Sequence, residues 1–344
     1  MQSDTRMHKS SPSSEAESRT QPQGFLLGEE KWIWFAKVFL GLLAAIALLL
    51  QPLDLQAGTY HVPADFQSIQ MAIDGVSPEG DTVVVAPGSY VENIDYHGRN
   101  IFLTSLYYLE GDESYIEQTV IDGGQNGSVI TFIEGEERSA VLNGFTITNG
   151  SGRLSGGYTT GGGIFIDESS PSLTNCLVTG NNCAGITGGG GIFIYRSSVH
   201  LSNLTIRENS AQSLAGGLRV TNSEIEMDSL NRCNIYLNEA ASANDVFVKV
   251  SNQPHLAVFL DTATVAFHSD YFIGGDLSSV DILHGKLEPA QHDLWVSPDG
   301  DNNNSGSSPD DPLKTITYAL HIIDADSLHP LTINLMPGTF SLSG

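Results

Sequence analysis

From residue 58 onward the chain is written in short runs of alternating apolar and polar residues, broken by Gly, Ser and Asn and repeated every 28 residues or so. The segment GGGIFIDESSPSLTNCLVTGNN (Gly161 to Asn182) is answered by GGGIFIYRSSVHLSNLTIRENS (Gly189 to Ser210). Aligned without gaps, Leu142, Leu173, Leu201 and Leu230 lead successive copies, in steps of 31, 28 and 29 residues. Cys176, Leu204 and Cys233 share one column, and Asn181, Asn209 and Asn238 another. A further column runs through Ile164, Ile192, Leu218 and Val246, with Ile166, Ile194, Val220 and Val248 two residues on. Period two is the signature of a strand. A unit this small cannot bury its own apolar face, so it must stack on its neighbours, strand over equivalent strand, about 4.8 Å apart. The predicted fold is therefore all-β, a parallel β-helix. Glycine clusters such as Gly161 to Gly163 and Gly188 to Gly191 are expected at positive-φ corners. No Lys-Ser/Thr pair follows them, which excludes a phosphate-cradling loop.

A solenoid exposes an apolar end and needs a lid. In DFQSIQMAIDGV the residues Phe66, Ile69, Ala72, Ile73 and Val76 fall on one helical face, with Asp65 as the expected N-cap. A shift of 247 residues lands on Leu313, Ile316, Ala319, Leu320 and Ile323, followed by another strand-like run, INLMPGTF. The reading is a capping helix at the start of one β-helix and the beginning of a second at the C-terminus. Before both, Val38 to Leu50 is an uninterrupted apolar stretch behind a polar arm, as in a secretory signal peptide, with Leu55-Gln56-Ala57 as an imperfect cleavage site. Counted from Trp32 the stretch would also serve as an uncleaved signal anchor. The expected organisation is residues 1–57 as signal segment with its polar arm, 58–293 as the β-helix, and 294–344 as the start of a second. Export, to the outside or to the cell envelope, follows from either reading of the first segment, and any membrane attachment would run through it.

Charge narrows the partners. The chain carries 15 Lys and Arg against 40 Asp and Glu, a net charge of −25. Such a field repels nucleic acid and anionic membranes. It tolerates neutral glycans and cations, and it also keeps an exported protein soluble.

Within the strands beginning at Ile164 and its equivalents, inward isoleucines turn the intervening residues outward. One outward column then reads Phe165, Phe193, Arg219, Phe247, and the next Asp167, Tyr195, Thr221, Lys249. Aromatic rings beside Asp, Arg and Lys suit sugar rings, so Phe165, Asp167, Phe193, Tyr195, Arg219, Phe247 and Lys249 are the candidate ligand face, unless a loop covers the phenylalanines or they stack only on one another. The loop Asp299 to Ser305 offers oxygen ligands at alternating positions, making Asp299, Asp301 and Asn303 candidate ligands for calcium; a solvated linker is the other reading. The three cysteines are expected as reduced, buried thiols. Cys176 and Cys233 sit two rungs apart, about 9.6 Å, beyond disulfide reach.

These residues carry a family resemblance. The chain resembles the bacterial right-handed parallel β-helix proteins of the pectin-lyase-like superfamily, and its Gly-Gly-Gly-Ile, Asn-Cys and Asn-Asn coils are similar to polymorphic outer membrane protein repeats. The segment LWVSPDGDNNNSGSSPDDPLKTITYAL is similar to the opening of a secreted β-helix domain. The resemblance implies a chain that continues past Gly344. It also implies a polysaccharide or surface-glycan partner, or alternatively a surface adhesin or spacer; a further alternative is a polysaccharide lyase. Lyases on this fold pair calcium-binding carboxylates with an Arg or Lys base, for which Arg219 with Glu224, Glu226 and Asp228 is the nearest set. The family's lyase signatures and paired aspartates are missing. Asp270 to Gly274 faintly resembles a pectin methylesterase strand, but its Asp261-Thr262 partner lies too few residues upstream to occupy the preceding coil.

Overall fold

The computed structural model describes residues 29–49, 57–155, 158–249, 256–265, 273–275, 277–325 and 328–340. The chain separates into two compact units, residues 1–56 and 57–344. In the first, Glu29–Leu49 is an α-helix. Among the described residues no helix is long and apolar enough to cross a membrane. Leu55 and Gln56 of the expected cleavage site lie outside the described residues, as does Asp270.

The second unit is predominantly β. Three long parallel sheets of seven, eight and seven strands carry it, and the chain visits them in turn. A representative coil runs through Ser172–Thr174 in the first sheet and Leu177–Thr179 in the second, then reaches Ile192–Tyr195 in the third. The registers join equivalent residues of successive coils: Leu142 to Leu173 to Leu201 in the first sheet, and Ile147 to Val178 to Ile206 to Ile235 in the second. In the third sheet Ile130, Ile164, Ile192, Leu218 and Val246 follow one another rung by rung. These side chains form one continuous buried core. At about 25 cal/mol per Å² of apolar surface removed from water, that stacking is what a single coil could never supply alone.

Two expectations about the repeat are corrected. Leu201 pairs with Met227, not Leu230, and Leu230 is 91% exposed. The fourth coil carries three extra residues between its first and second strands, organised around Asp228, whose carboxylate accepts the N–H groups of Leu230 and Asn231 and the Asn231 amide. A gapless alignment hides such an insertion because Cys233 and Ile235 are back in register. The glycine clusters meet the positive-φ expectation at Gly161, Gly188 and Gly189 and depart from it at their remaining members. Gly161 and Gly189 are left-handed, φ 56 and 80, yet Ala215 takes the same place at φ 53. Gly162 and Gly190 are required by close stacking: a Cβ on either would fall on the carbonyl oxygen of the glycine one coil further on.

The Asn column lies in the interior where the chain leaves the second sheet. Asn181 Nδ2 donates to Asn209 Oδ1 (3.0 Å), Asn209 Nδ2 to Asn238 Oδ1 (3.0 Å), and Asn238 Nδ2 to Asp245 Oδ1 (2.9 Å). Each amide thereby satisfies backbone groups the turn would otherwise leave unpaired. All three cysteines are free and buried. Burial pushes the Cys176 and Cys233 thiols up to about 12, as for core hydrophobes. Cys183 lies in a small extra sheet, paired with Ala211 and outside the main core.

The predicted helix forms as Ile69–Gly75, three residues later than expected at its start. Ser68, not Asp65, is the N-cap, accepting the Met71 N–H, while Asp65 accepts the His61 N–H instead. Ile69, Ala72 and Ile73 join the main core. Its counterpart is Ile316–Ile322, between the parallel strands Leu294–Val296 and Ile333–Leu335, around a separate core of Ala290, Leu294, Val296, Leu313, Ala319 and Ile322. Leu320, which the 247-residue shift equates with buried Ile73, is 45% exposed, because this small core offers less apolar surface for the helix to cover.

Candidate functional site

The expected outward row of the third sheet exists in register: Asp95, Thr131, Phe165, Phe193, Arg219 and Phe247 stand one above another. Two of its three phenylalanine rings, however, are not open. Phe165 and Phe193 are only 3% and 5% exposed. The long crossings from the second sheet to the third form an extra layer, with an antiparallel pair Arg153–Ser155 and Tyr158–Thr160 and a small parallel sheet of Asn182–Cys183, Ser210–Leu214 and Glu239–Ser242. Cys183 of that layer lies next to Arg219. The rings spend their faces on one another, Phe165 against Phe193 at 5.8 Å between centroids. Arg219 is wedged over Phe193 at 4.8 Å and Phe247 at 5.7 Å, and burial holds its guanidinium below the usual arginine range. In the neighbouring row Asp167 is engaged by Arg196 through bonds of 2.9 Å to each carboxylate oxygen, and Arg196 also covers Tyr195 at 4.7 Å. Lys249 remains exposed.

The expected lyase set does not assemble. Arg219 belongs to the third sheet, whereas Glu224 and Glu226 belong to the first, where Glu226 pairs with Arg138 at 2.6 Å. Asp228 serves its turn and is pulled down to about 2 by the Asn231 amide and the local N–H groups. Asp301 spends one oxygen on the Asn303 backbone and amide, both at 2.9 Å, and Asn302 ties the loop to the N–H groups of Lys314 and Thr315. Among the described residues Asp299 and Asp301 do not converge with a third His, Cys, Asp or Glu ligand. Among the described residues the group that does converge is Asp95, His97 and Glu134.

A groove of about 680 Å³ lies on the outer face of the second sheet. Its floor is built by two outward rows, Leu177, Thr205, Asn234 and, two residues on, Arg207 and Tyr236. The short helix Ser114–Gln118 contributes Ser114 and Glu117 to one side, and Lys286 stands over the Tyr236 ring at 5.4 Å. Asn175 and Asn203, left-handed at φ 53 and 50, project along the groove's edge, where Asn203 Nδ2 donates to Asn175 Oδ1 at 2.9 Å. Arg207 pairs with Glu208 at 2.7 Å. The groove thus combines one aromatic face, amides and hydroxyls at rung spacing, and both signs of charge. Such a lining hydrogen-bonds polyhydroxylated ligands and stacks on their C–H faces. The repeat showed Asn175, Asn203 and Thr205 as columns; it gave no signal for Glu117 or Lys286, which arrive from distant parts of the chain.

No family model matches the chain, and none of the curated proteins matches it. Among solved structures the crystal structure of Escherichia coli YbhC is similar, at 11% identity over 83% of this chain and 85% of that one, with a TM-score of 0.30. A likeness of that degree carries no argument about what this chain does.

Proposed function

We propose that this chain is an exported or cell-surface right-handed parallel β-helix protein that engages polysaccharide or surface glycan through the outer groove of the second sheet. The carrying observation is the groove itself, with Tyr236, Lys286, Arg207 and the Asn175–Asn203 pair presented along successive coils. Right-handedness is supported by the strong chirality of parallel strand connections, and a capping role for helix Ile69–Gly75 by its apolar residues joining the core. The segment 294–344 reads as the opening of a second solenoid, since it repeats the strand, helix, parallel-strand order of residues 59–85. The acidic chain argues against nucleic acid as partner.

A glycan array probed with the full chain tests this reading. Retention of a linear polysaccharide, weakened about tenfold by Tyr236→Ala and by Lys286→Ala, is expected from the loss of one stacking or cationic contact. An array without binding would leave the same rod as an adhesin or spacer with protein partners. Growth of unsaturated-uronate absorbance on an acidic polysaccharide would move the assignment to a lyase.

A further inference from the structure

We propose that Asp95, His97 and Glu134 form a binding site for a divalent transition-metal cation of the zinc class, independent of the glycan groove. The three residues come from two neighbouring segments of the second unit: Asp95 ends the third-sheet strand Ile94–Asp95 and His97 lies in the turn after it, while Glu134 lies in the turn after Ile130–Phe132. One ligand atom from each lies within 4.8 Å of the others. His97 Nδ1 stands 3.7 Å from Asp95 Oδ1 and 3.7 Å from Glu134 Oε1. These separations are too long for hydrogen bonds. They lie just beyond the edge of a coordination polyhedron, about 3.3–3.6 Å for ligands about 2.0–2.2 Å from one zinc ion, so a small side-chain shift would close the set on an ion. An imidazole nitrogen with two carboxylates is a donor set for zinc rather than for calcium, which prefers oxygen alone.

On its Nε2 side His97 faces Asp74 Oδ1 at 3.9 Å, a nearby negative charge and not a hydrogen bond. One further observation shows that the set is built. Beneath the ligands, Glu136, 1% exposed, clamps the two turns together. Its Oε1 accepts the Gly98 N–H at 2.9 Å, and its Oε2 accepts the Glu134 N–H at 3.1 Å and the Ser169 hydroxyl at 2.7 Å. A buried carboxylate used only to hold the turns bearing His97 and Glu134 fixes the ligands before any ion arrives. Charge also favours a cation here. Apart from His97 itself, Arg153, 3.5 Å from Asp95 Oδ2, is the one cation among the described residues that ion-pairs with Asp74, Asp95 or Glu134. It occupies the Asp95 oxygen opposite the one offered to the metal.

Isothermal titration of the full chain with zinc chloride tests the site. One equivalent should bind, with affinity falling at least tenfold in His97→Ala and in Glu134→Gln, and unchanged in Asp299→Asn/Asp301→Asn. Far-UV circular dichroism of each variant without metal checks that it folds; Glu134, exposed at the surface, provides the second variant should His97→Ala fail to fold. Absence of zinc binding by the full chain, binding that survives both His97→Ala and Glu134→Gln, or loss only in the Asp299/Asp301 variant would each overturn the assignment.

Discussion

Asp245 closes the amide ladder, and its surroundings treat it only as an acceptor. Asn238 donates to Oδ1 from its backbone at 3.2 Å and from its amide at 2.9 Å, while Thr264 Oγ1 donates to Oδ2 at 2.5 Å and accepts the Leu237 N–H. Asparagine at 245 would turn an NH₂ toward one of these donors. Asp245→Asn should therefore cost about 1–3 kcal/mol in denaturant unfolding at neutral pH. Complete burial outweighs the hydrogen bonds from Asn238 and Thr264 and raises the carboxyl from the ordinary 3.8 to about 6. Since the folded-state value lies above the unfolded one, this group's contribution to stability is full below about pH 4 and is lost as pH rises through about 6. Wild type minus Asp245→Asn should thus widen on acidification from pH 7.5 to 4.5, by about 2 kcal/mol. A difference independent of pH would contradict that assignment.

At the scale of the coil, the fourth repeat separates two readings of the same sequence. If Met227 is the core residue and Leu230 a turn residue, Met227→Ala should destabilise by about 2–4 kcal/mol, while Leu230→Ser stays within about 0.5 kcal/mol. The reverse order in chemical denaturation would restore the gapless register. Gly190→Ala should be more damaging than its small size implies, because backbone of the next coil, at Ser210 and at Gly216, meets it at the point where a Cβ would stand. Gly189→Ala, at a positive φ that Ala215 already adopts one coil further on, should be milder. Comparing the melting temperatures of the two variants tests whether stacking distance or backbone conformation dominates at these corners.

For the whole molecule, the decisive fact is which side of the solenoid the crossings cover. The third-sheet row was read correctly as a column, Phe165 above Phe193 above Arg219, because parallel register follows from residue spacing alone. Its closure was not legible, since residues 149–163 and 181–191 read only as Gly- and Ser-rich connections and nothing in their composition says which face they lie against. Phe193→Ala should accordingly behave as a core truncation, costing about 3 kcal/mol or more in stability, with glycan affinity unchanged in the folded fraction. Loss of affinity without loss of stability would return the ligand to that face.

Core and turn were present in the one-dimensional pattern. Alternation marked Ile164, Ile192, Leu218 and Val246 as inward, and the same spacing kept Cys176 and Cys233 from pairing, because stacking at a constant rise converts residue offsets directly into distances. What only the tertiary structure decided are the juxtapositions that no period encodes. Lys286 reaches Tyr236 from beyond the last regular coil, and helix Ser114–Gln118 flanks a groove floored by residues 60 and more further on. His97 and Glu134 meet over Glu136 because two turns of unequal length happen to end side by side. A repeat dictates what its members share, and these sites are made from what each coil adds to the repeat.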